Sequence, residues 1–294
     1  DRELLELFRV PPASLPEVRP SLGEFGRWEG VPVTAVLGDQ QAALFGQGCT
    51  EEGAAKVTWG TGAFLLLNTG PRVYPSRHGL LATVAYAWEG GRRYALEGSA
   101  FVAGAALQWL RDGLGIIRDA SESDPLAASL ASNEGVYFVP ALVGLGAPYW
   151  DPHARGAILG LTRGTTRAHL ARAALEAIAY QTHDLVRAME ADTGRLLGEL
   201  RVDGGAARSD FLCQFQADIL EVPVLRPGDL ETTGRGAALA AGLAAGLWTM
   251  AEFRLICSAH GAAFQPRPDS ANQQGLVAGW HRAVERARGW AQRA

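Results

Sequence analysis

The chain has no basic stripe and no basic run: 27 lysines and arginines stand against 31 aspartates and glutamates, for a formal charge of -4. Nucleic-acid surfaces need clustered cations, so no nucleic acid is expected as a partner. The apolar stretches break at glycine, arginine or aspartate before they could cross a bilayer, and no membrane insertion is expected. The sequence opens on Asp1-Arg2-Glu3 without an initiator methionine, and no signal peptide is expected. Only three cysteines occur, Cys49, Cys213 and Cys257, too far apart for a metal-ligand spacing or a disulfide framework. They read as free thiols in a reducing cytoplasm. Six scattered histidines include no His-x-x-x-His pair, and no zinc site is expected. What is present is a 48% apolar composition with 36 glycines in 294 residues, which suits an α/β enzyme with a core and many tight turns.

Residues 2–9 can form a short helix, and Pro11, Pro12, Pro16 and Pro20 then impose an irregular run that reads as the tail of something upstream. Residues 31–37 predict a strand running into a helix over 40–48, with Asp39 at its N-cap. Two β runs between 54 and 68 flank Gly60-Thr61-Gly62, and 80–88 with 92–96 predict a hairpin closed through Glu89-Gly90-Gly91. Helices are expected at 99–112, 125–131, 166–192, 210–220, 236–247 and 276–292, and strands at 136–140, 157–160, 200–202 and 222–225. Residues 254–275 fit no pattern beyond loop with some helix. Strands alternating with helices indicate a layered α/β domain.

Three places carry chemistry. Asp39 sits where an apolar strand meets a helix, followed by Gln40 and Gln41. A single positioned carboxylate can take the proton of an alcohol that attacks ATP; it can equally do no more than cap the helix. Gly60-Thr61-Gly62 offers bare backbone N–H groups and a hydroxyl to an anion, or is an ordinary hairpin turn. Asp203-Gly204-Gly205-Ala206 ends a strand before a helix, a usual ligand crevice or a plain tight turn. Gly104 and Gln108 share a helix face one turn apart. Trp109, Trp150 and Trp248 read as core or interface aromatics. Gly234, Gly236, Gly242 and Gly246 read as packing glycines on a helix, and Arg155 and Arg163 as salt-bridge partners with a phosphate role as the alternative.

Together these motifs resemble the FGGY carbohydrate kinases, and within them the glycerol kinases. The resemblance rests on Gly-Asp-Gln-Gln-Ala-Ala-Leu-Phe-Gly-Gln at 38–47, Trp-Gly-Thr-Gly-Ala-Phe at 59–64, Ala-Leu-Glu-Gly at 95–98, Gln-Trp-Leu-Arg-Asp at 108–112 and Gly-Leu-Gly-Ala-Pro-Tyr-Trp-Asp-Pro at 144–152. It adds Gly156-Ala157-Ile158-Leu159-Gly160-Leu161 followed by seven residues and then His169-Leu170. The fold it implies is α/β: a ribonuclease-H-like ATPase lobe of the actin and hexokinase type, with a mixed sheet flanked by helices. The activity it implies is ATP-dependent phosphorylation of glycerol to glycerol 3-phosphate, with Mg²⁺ bridging the nucleotide phosphates. Asp39 is implied as the base and as an indirect Mg²⁺ contact, Gln40 as a glycerol contact, and Phe64 as an apolar wall against glycerol. Thr61, Gly104, Gln108 and Gly205 are implied as ATP or ADP contacts, with Ser209 at the adenine where the family often has asparagine.

The resemblance also implies a division: 1–48 as the end of the family's first lobe, 49–250 as the nucleotide-binding lobe, and 251–294 as a helical tail. The first lobe itself, about two hundred residues with its phosphate loop and the side chains that surround glycerol, is not in this sequence. Residues 22–34 are shorter than the loop that binds fructose 1,6-bisphosphate in some members, and no histidine for a phosphotransfer protein stands there. The missing lobe is an expected partner, a homo-oligomer is expected, and the isolated chain is expected to be an incomplete kinase. The alternatives are a kinase for another polyol or a pentulose, a non-catalytic remnant that binds nucleotide or sugar, or a subunit paired with a separately encoded first lobe.

Overall fold

The computed structural model describes residues 1–258, 261–267 and 270–292. Helix α1 (Arg2–Phe8) and a ribbon of β1 (Arg27–Trp28) and β2 (Val31–Pro32) lead to helix α2 (Asp39–Gly46). Then come β3 (Ala55–Trp59), β4 (Ala63–Gly70), β5 (Leu81–Trp88), β6 (Gly91–Ala100), α3 (Gly104–Gln108) and α4 (Ser123–Ala128). A second ribbon, β7 (Tyr137–Val139) with β8 (Ala157–Leu159), precedes the long helix α5 (Arg167–Thr193). The rest is β9 (Leu200–Asp203), α6 (Asp210–Leu220), β10 (Val224–Arg226), α7 (Thr232–Ala244), α8 (Met250–Ser258), β11 (Ala262–Phe264) and α9 (Ser270–Ala287).

Seven strands form one mixed sheet in the order β11-β10-β9-β3-β4-β6-β5, with β3, β9 and β10 parallel and the other pairs antiparallel. Both faces are covered, as the α/β reading requires. Side chains alternate between faces along a strand. On one face Ala55, Val57 and Trp59 of β3 and Leu65 and Leu67 of β4 join α5, α6 and α9 in the larger core. On the other face Leu66 and Ala95 join Leu44 and Phe45 of α2, Leu239 and Leu243 of α7, and Phe253 of α8. α5 is buried along most of its length because it lies between the sheet and the helices α4, α6 and α9 of its own layer. Its start is fixed by the Thr166 hydroxyl and the His169 ring in a capping box, and its end by Gly194 at φ 69°.

Several expected elements are displaced, each for a local reason. The strand expected at 31–37 shortens to Val31–Pro32: Pro32 has no N–H, and the rest pairs with the loop before it through bonds such as Val33 N–H to the Gly26 carbonyl at 2.8 Å, with the Thr34 hydroxyl on the Ala241 carbonyl of α7. The helix expected at 99–112 begins only at Gly104, because Ser99 and Ala100 pair with Phe64 and Ala63 and extend β6. It then widens into a π-helical turn over Trp109–Gly113. The hairpin turn is Glu89-Gly90, both at positive φ, as a tight primed turn requires. In the stretch 254–275 the chain holds the end of α8, β11 and the start of α9, while residues 259, 260, 268 and 269 lie outside the described ones, as do 293 and 294.

The glycines grouped by sequence separate in space. Gly236 is wedged against α2, and a Cβ on Gly242 would meet the Trp248 ring at 2.1 Å. Gly234 has open space around it, and Gly246 follows α7 at φ 73° instead of packing on it. Arg155 makes no ion pair among the described residues; its Nη1 donates to the carbonyls of Pro152 at 2.9 Å and Ala154 at 2.7 Å. The scattered histidines are partly gathered: ring nitrogens of His183 and His281 lie with an Asp184 oxygen inside a 4.8 Å cluster. The Asp184 carboxylate there accepts from His281 at 2.8 Å, Tyr149 at 2.7 Å and Trp280 at 2.7 Å, which ties α9 and the 144–152 loop to α5.

Candidate active site

β3 and β9 run parallel with Thr58 opposite Asp203, so the turns leaving their carboxyl ends lie side by side. Ligand crevices of α/β sheets form at such ends. After β3 the chain folds through Gly60-Thr61-Gly62, closed by the Gly60 N–H on the Gly62 carbonyl at 2.9 Å. The start of α3 docks on this turn: Ala103 N–H donates to the Thr61 carbonyl at 2.8 Å and Gly104 N–H to the Gly60 carbonyl at 2.9 Å. A Cβ at position 104 would lie 2.6 Å from that Gly60 oxygen, so the approach requires glycine. After β9, Gly204 turns at φ 86° directly over Trp59, whose carbonyl oxygen a Cβ would meet at 2.6 Å. Trp59 is held in turn by its indole N–H on the Thr182 hydroxyl of α5 at 3.0 Å.

These turns enclose a cavity of about 520 Å³, within the range of small-molecule sites. The five residues that the resemblance marks for nucleotide, Thr61, Gly104, Gln108, Gly205 and Ser209, all line it. Nothing stands within 4 Å of a Cβ placed on Gly205, so its bare backbone faces open space. Arg111 and Arg208 stand in the wall beside Asp119 and Asp124, and Arg111 is itself paired with Asp112 at 2.6 Å. Ser209 is already engaged: its hydroxyl caps α6 on the Leu212 N–H at 2.9 Å and donates to Asp124.

Asp39, Gln40 and Phe64 gather elsewhere, on the α2 side of the sheet. Pairing registers place Asp203, Thr58, Phe64 and Ser99 in one row across β9, β3, β4 and β6, and Arg201, Lys56, Leu66 and Glu97 in the next. α2 lies over these rows. Asp39 is the first residue of the helix and not its cap; Gly38 holds the cap position in an extended conformation. The Asp39 carboxylate accepts the Gln40 backbone N–H at 2.8 Å and the Gln40 side-chain amide at 3.4 Å, and is otherwise exposed. Phe64 is half-buried in the same region.

Two residues of this region have a part that the sequence did not assign: Asp203, named there only as the start of a glycine turn, and Lys56, not named at all. Asp203, buried at β9's end, accepts Nε2 of Gln47, the residue that caps the end of α2, at 2.9 Å and the Thr232 hydroxyl of α7 at 2.5 Å, so one carboxylate joins both helices to the strand that leads into Gly204-Gly205. Lys56 is completely buried, and its Nζ donates to Gln40 Oε1 at 2.5 Å and the Thr58 hydroxyl at 2.9 Å. Burial lowers its pKa from 10.5 to about 8, against the opposing pull of Asp203 and more distant acids. Burial likewise raises the Glu97 carboxyl and pushes the Cys49 thiol up to about 12. The signal for Lys56 was its place inside an apolar β run; the signal for Asp203 was its position before two glycines.

A glycine-walled cavity at the ends of parallel strands, beside a carboxylate on the first turn of a helix, defines an α/β lobe suited to phosphorylated ligands. The chain belongs to the FGGY family of carbohydrate kinases: residues 55–245 match the model of that family's C-terminal domain. It is 55% identical over 298 residues to a glycerol kinase of Dechloromonas aromatica, covering 99% of this chain and 59% of that protein. Among solved structures it resembles Plasmodium falciparum glycerol kinase with ADP, with a TM-score of 0.90 and 36% identity, over 98% of this chain and 59% of that one. Lactobacillus acidophilus xylulose kinase shares the fold at 21% identity and a TM-score of 0.82, over 96% of this chain and 59% of that one. The chain thus spans about three fifths of the relatives it matches. Among the described residues no helix is long and apolar enough to cross a membrane.

Proposed function

We propose that this chain is the nucleotide-binding part of a kinase that transfers a phosphoryl group from ATP to glycerol, completed by a first lobe. The observation that carries the reading is the convergence of Thr61, Gly104, Gln108, Gly205 and Ser209 on one cavity at the ends of β3 and β9. In this reading the backbone N–H groups of the Gly60-Thr61-Gly62 turn and the Thr61 hydroxyl hold phosphate oxygens, and Gly205 lets adenosine lie against bare backbone. Asp39 takes the proton from a terminal hydroxyl as it attacks, Gln40 hydrogen-bonds the polyol, and Phe64 packs on its carbon backbone. Mg²⁺ on the nucleotide would neutralise phosphate charge. Asp39 is an oxygen donor of the hard type that suits it, exposed and with one oxygen only loosely engaged at 3.4 Å. Glycerol ranks ahead of a pentulose as substrate because the relatives at 52–55% identity are glycerol kinases.

The division of the chain at 48 and 250, a cytoplasmic location and a homo-oligomer belong to the same reading. Light scattering on the complete enzyme tests the oligomer. The decisive test of the chemistry is Asp39→Asn in that complete enzyme, assayed by coupled ADP release. Loss of a general base lowers turnover by at least about a hundredfold while nucleotide affinity holds. Near-normal turnover would remove Asp39 from the base role. The 294-residue chain alone is expected to bind ADP weakly and to phosphorylate glycerol negligibly, since the first lobe's contacts are missing.

A further inference from the structure

Lys56 is the charge in this lobe that the fold explains least. A buried ammonium is ordinarily matched by a touching carboxylate. Here Nζ instead donates to two uncharged oxygens, Gln40 Oε1 and the Thr58 hydroxyl. Its neighbour across β4 is Leu66, fully buried, so an apolar side chain would suit the position better. A charge kept where it costs stability marks a functional site more often than a structural one.

Lysine only donates, so it fixes which way the Gln40 amide is turned: the oxygen must face Nζ. The amide nitrogen then points the other way, and the group it meets is Asp39 Oδ2 at 3.4 Å, while Asp39 Oδ1 accepts the Gln40 backbone N–H at 2.8 Å. Gln40 therefore meets both oxygens of the carboxylate, Oδ1 through its backbone N–H and Oδ2 more loosely through its side-chain amide, and Lys56 holds that amide. We propose that Lys56 is a positioning residue for phosphoryl transfer, setting the orientation of the Asp39 carboxylate through the side-chain amide of Gln40. The proposal rests on reading Asp39 as the general base.

The charged and titratable groups around Lys56 come from every neighbouring element: Asp203 and Arg201 from β9, Glu97 from β6, Asp39 from α2, and Cys49 from the segment after α2. Arg201 is occupied by Glu199 and by the Gln47 carbonyl. Burial brings Lys56 down to about 8. Once deprotonated, its amine accepts as well as donates, and the amide is no longer held to one orientation. Turnover in the wild type should therefore fall above a pH of about 8.

The test uses the complete kinase as Lys56→Met, Lys56→Arg and Asp39→Asn, with kcat and KM measured from pH 6 to 10 (about the range where Lys56 titrates). Lys56→Met should lose roughly tenfold to a hundredfold in kcat with little change in KM for ATP, because orientation and not binding is lost. Lys56→Arg should recover part of that loss and lack the alkaline fall, since guanidinium stays charged. A crystal structure of Lys56→Met reports folding and orientation independently of turnover, and in it the Gln40 amide nitrogen should no longer face Asp39 Oδ2. Lys56→Met with kcat within twofold of wild type, or a Lys56→Arg enzyme that keeps the alkaline fall, overturns the proposal. An active Asp39→Asn enzyme instead overturns the base assignment and this proposal with it, so the two failures are told apart.

Discussion

Replacing Gly236 by alanine should part the two helices that carry the α2 side of the molecule. Gly236 on α7 faces Ala42 and Gly46 on α2, and a Cβ there would lie 1.8 Å from the Ala42 carbonyl oxygen and 2.7 Å from the Gly46 nitrogen. Both obstacles are backbone and cannot swing aside. Ordinary contact begins near 3.4 Å, so α2 and α7 must separate by about 1.5 Å. Overpacking of this kind costs up to about 3 kcal/mol, which in a chain of this size lowers Tm by roughly 5 to 10 °C. Asp39, the proposed base, begins the displaced helix, and a shift of about 1 Å at a reacting group costs on the order of a hundredfold in turnover. Gly234→Ala is the matched control: it lies on the same helix with nothing within 4 Å of its Cβ. It should be neutral or stabilise by up to about 1 kcal/mol through helix propensity. Urea denaturation of both variants, with turnover of the complete enzyme, makes the comparison. If Gly236→Ala unfolds at the same midpoint as Gly234→Ala, the close α2–α7 approach does not hold this layer.

Lys56→Met should raise stability at neutral pH by roughly 3 kcal/mol, because the unfolded lysine titrates near 10.5 and the folded one near about 8. Between those values the unfolded chain binds the proton that the folded chain has released, so wild-type stability climbs with pH across this window; urea curves at pH steps should show the climb and its absence in the variant. Asp184→Ala leaves the donors of Tyr149, Trp280 and His281 without their shared acceptor and should cost about 3 kcal/mol or more, read by thermal unfolding. Burial alone would raise the Asp184 carboxyl, but bonds from His183, His281 and Trp280 outweigh it and hold the pKa near about 2. Its stabilisation is therefore complete above the ordinary value of 3.8 and fades as pH falls towards about 2, a loss that Asp184→Asn should not show. Ser209→Ala removes the α6 cap and should cost about 1 kcal/mol. Because its hydroxyl is already committed, the same change should weaken ADP binding to the complete enzyme by less than about fivefold.

Local chemistry made the turns legible. Gly60-Thr61-Gly62, Glu89-Gly90 and Gly204-Gly205 sit where glycine interrupts β runs, and that signal needs no knowledge of the rest of the chain. The long helix was equally plain from its period and its Thr166 start. Pairings between distant segments were not legible. Nothing around residue 57 announces that Val202 lies beside it, and that parallel contact brings the two glycine turns to one cavity. Ser99 and Ala100 read as the start of a helix because their ladder partners, Phe64 and Ala63, stand more than thirty residues earlier. Lys56 escaped notice for a related reason: within its own strand it reads as the solvent-facing member of an alternation. Only the cover of α2 and the neighbouring β9 turn that face into an interior.

Asp203 explains why these separate pieces act as one. It closes β9, and the next residue is the glycine whose bare backbone approaches Trp59. The same carboxylate receives Gln47 from the end cap of α2 and Thr232 from the first turn of α7. The floor of the cavity and the helix bearing Asp39 are thus fastened to a single buried carboxylate, through hydrogen bonds from two side chains beyond its own strand. Such a network has little freedom to change the distance between cavity and carboxylate, because any relative movement would strand a buried acceptor. Where this lobe meets a first lobe, closure must therefore carry the turns and α2 together as a rigid body. In the proposed reading, with phosphate at the glycine turns and Asp39 as the base, this network sets the distance between the two within this chain, before any first lobe brings the polyol.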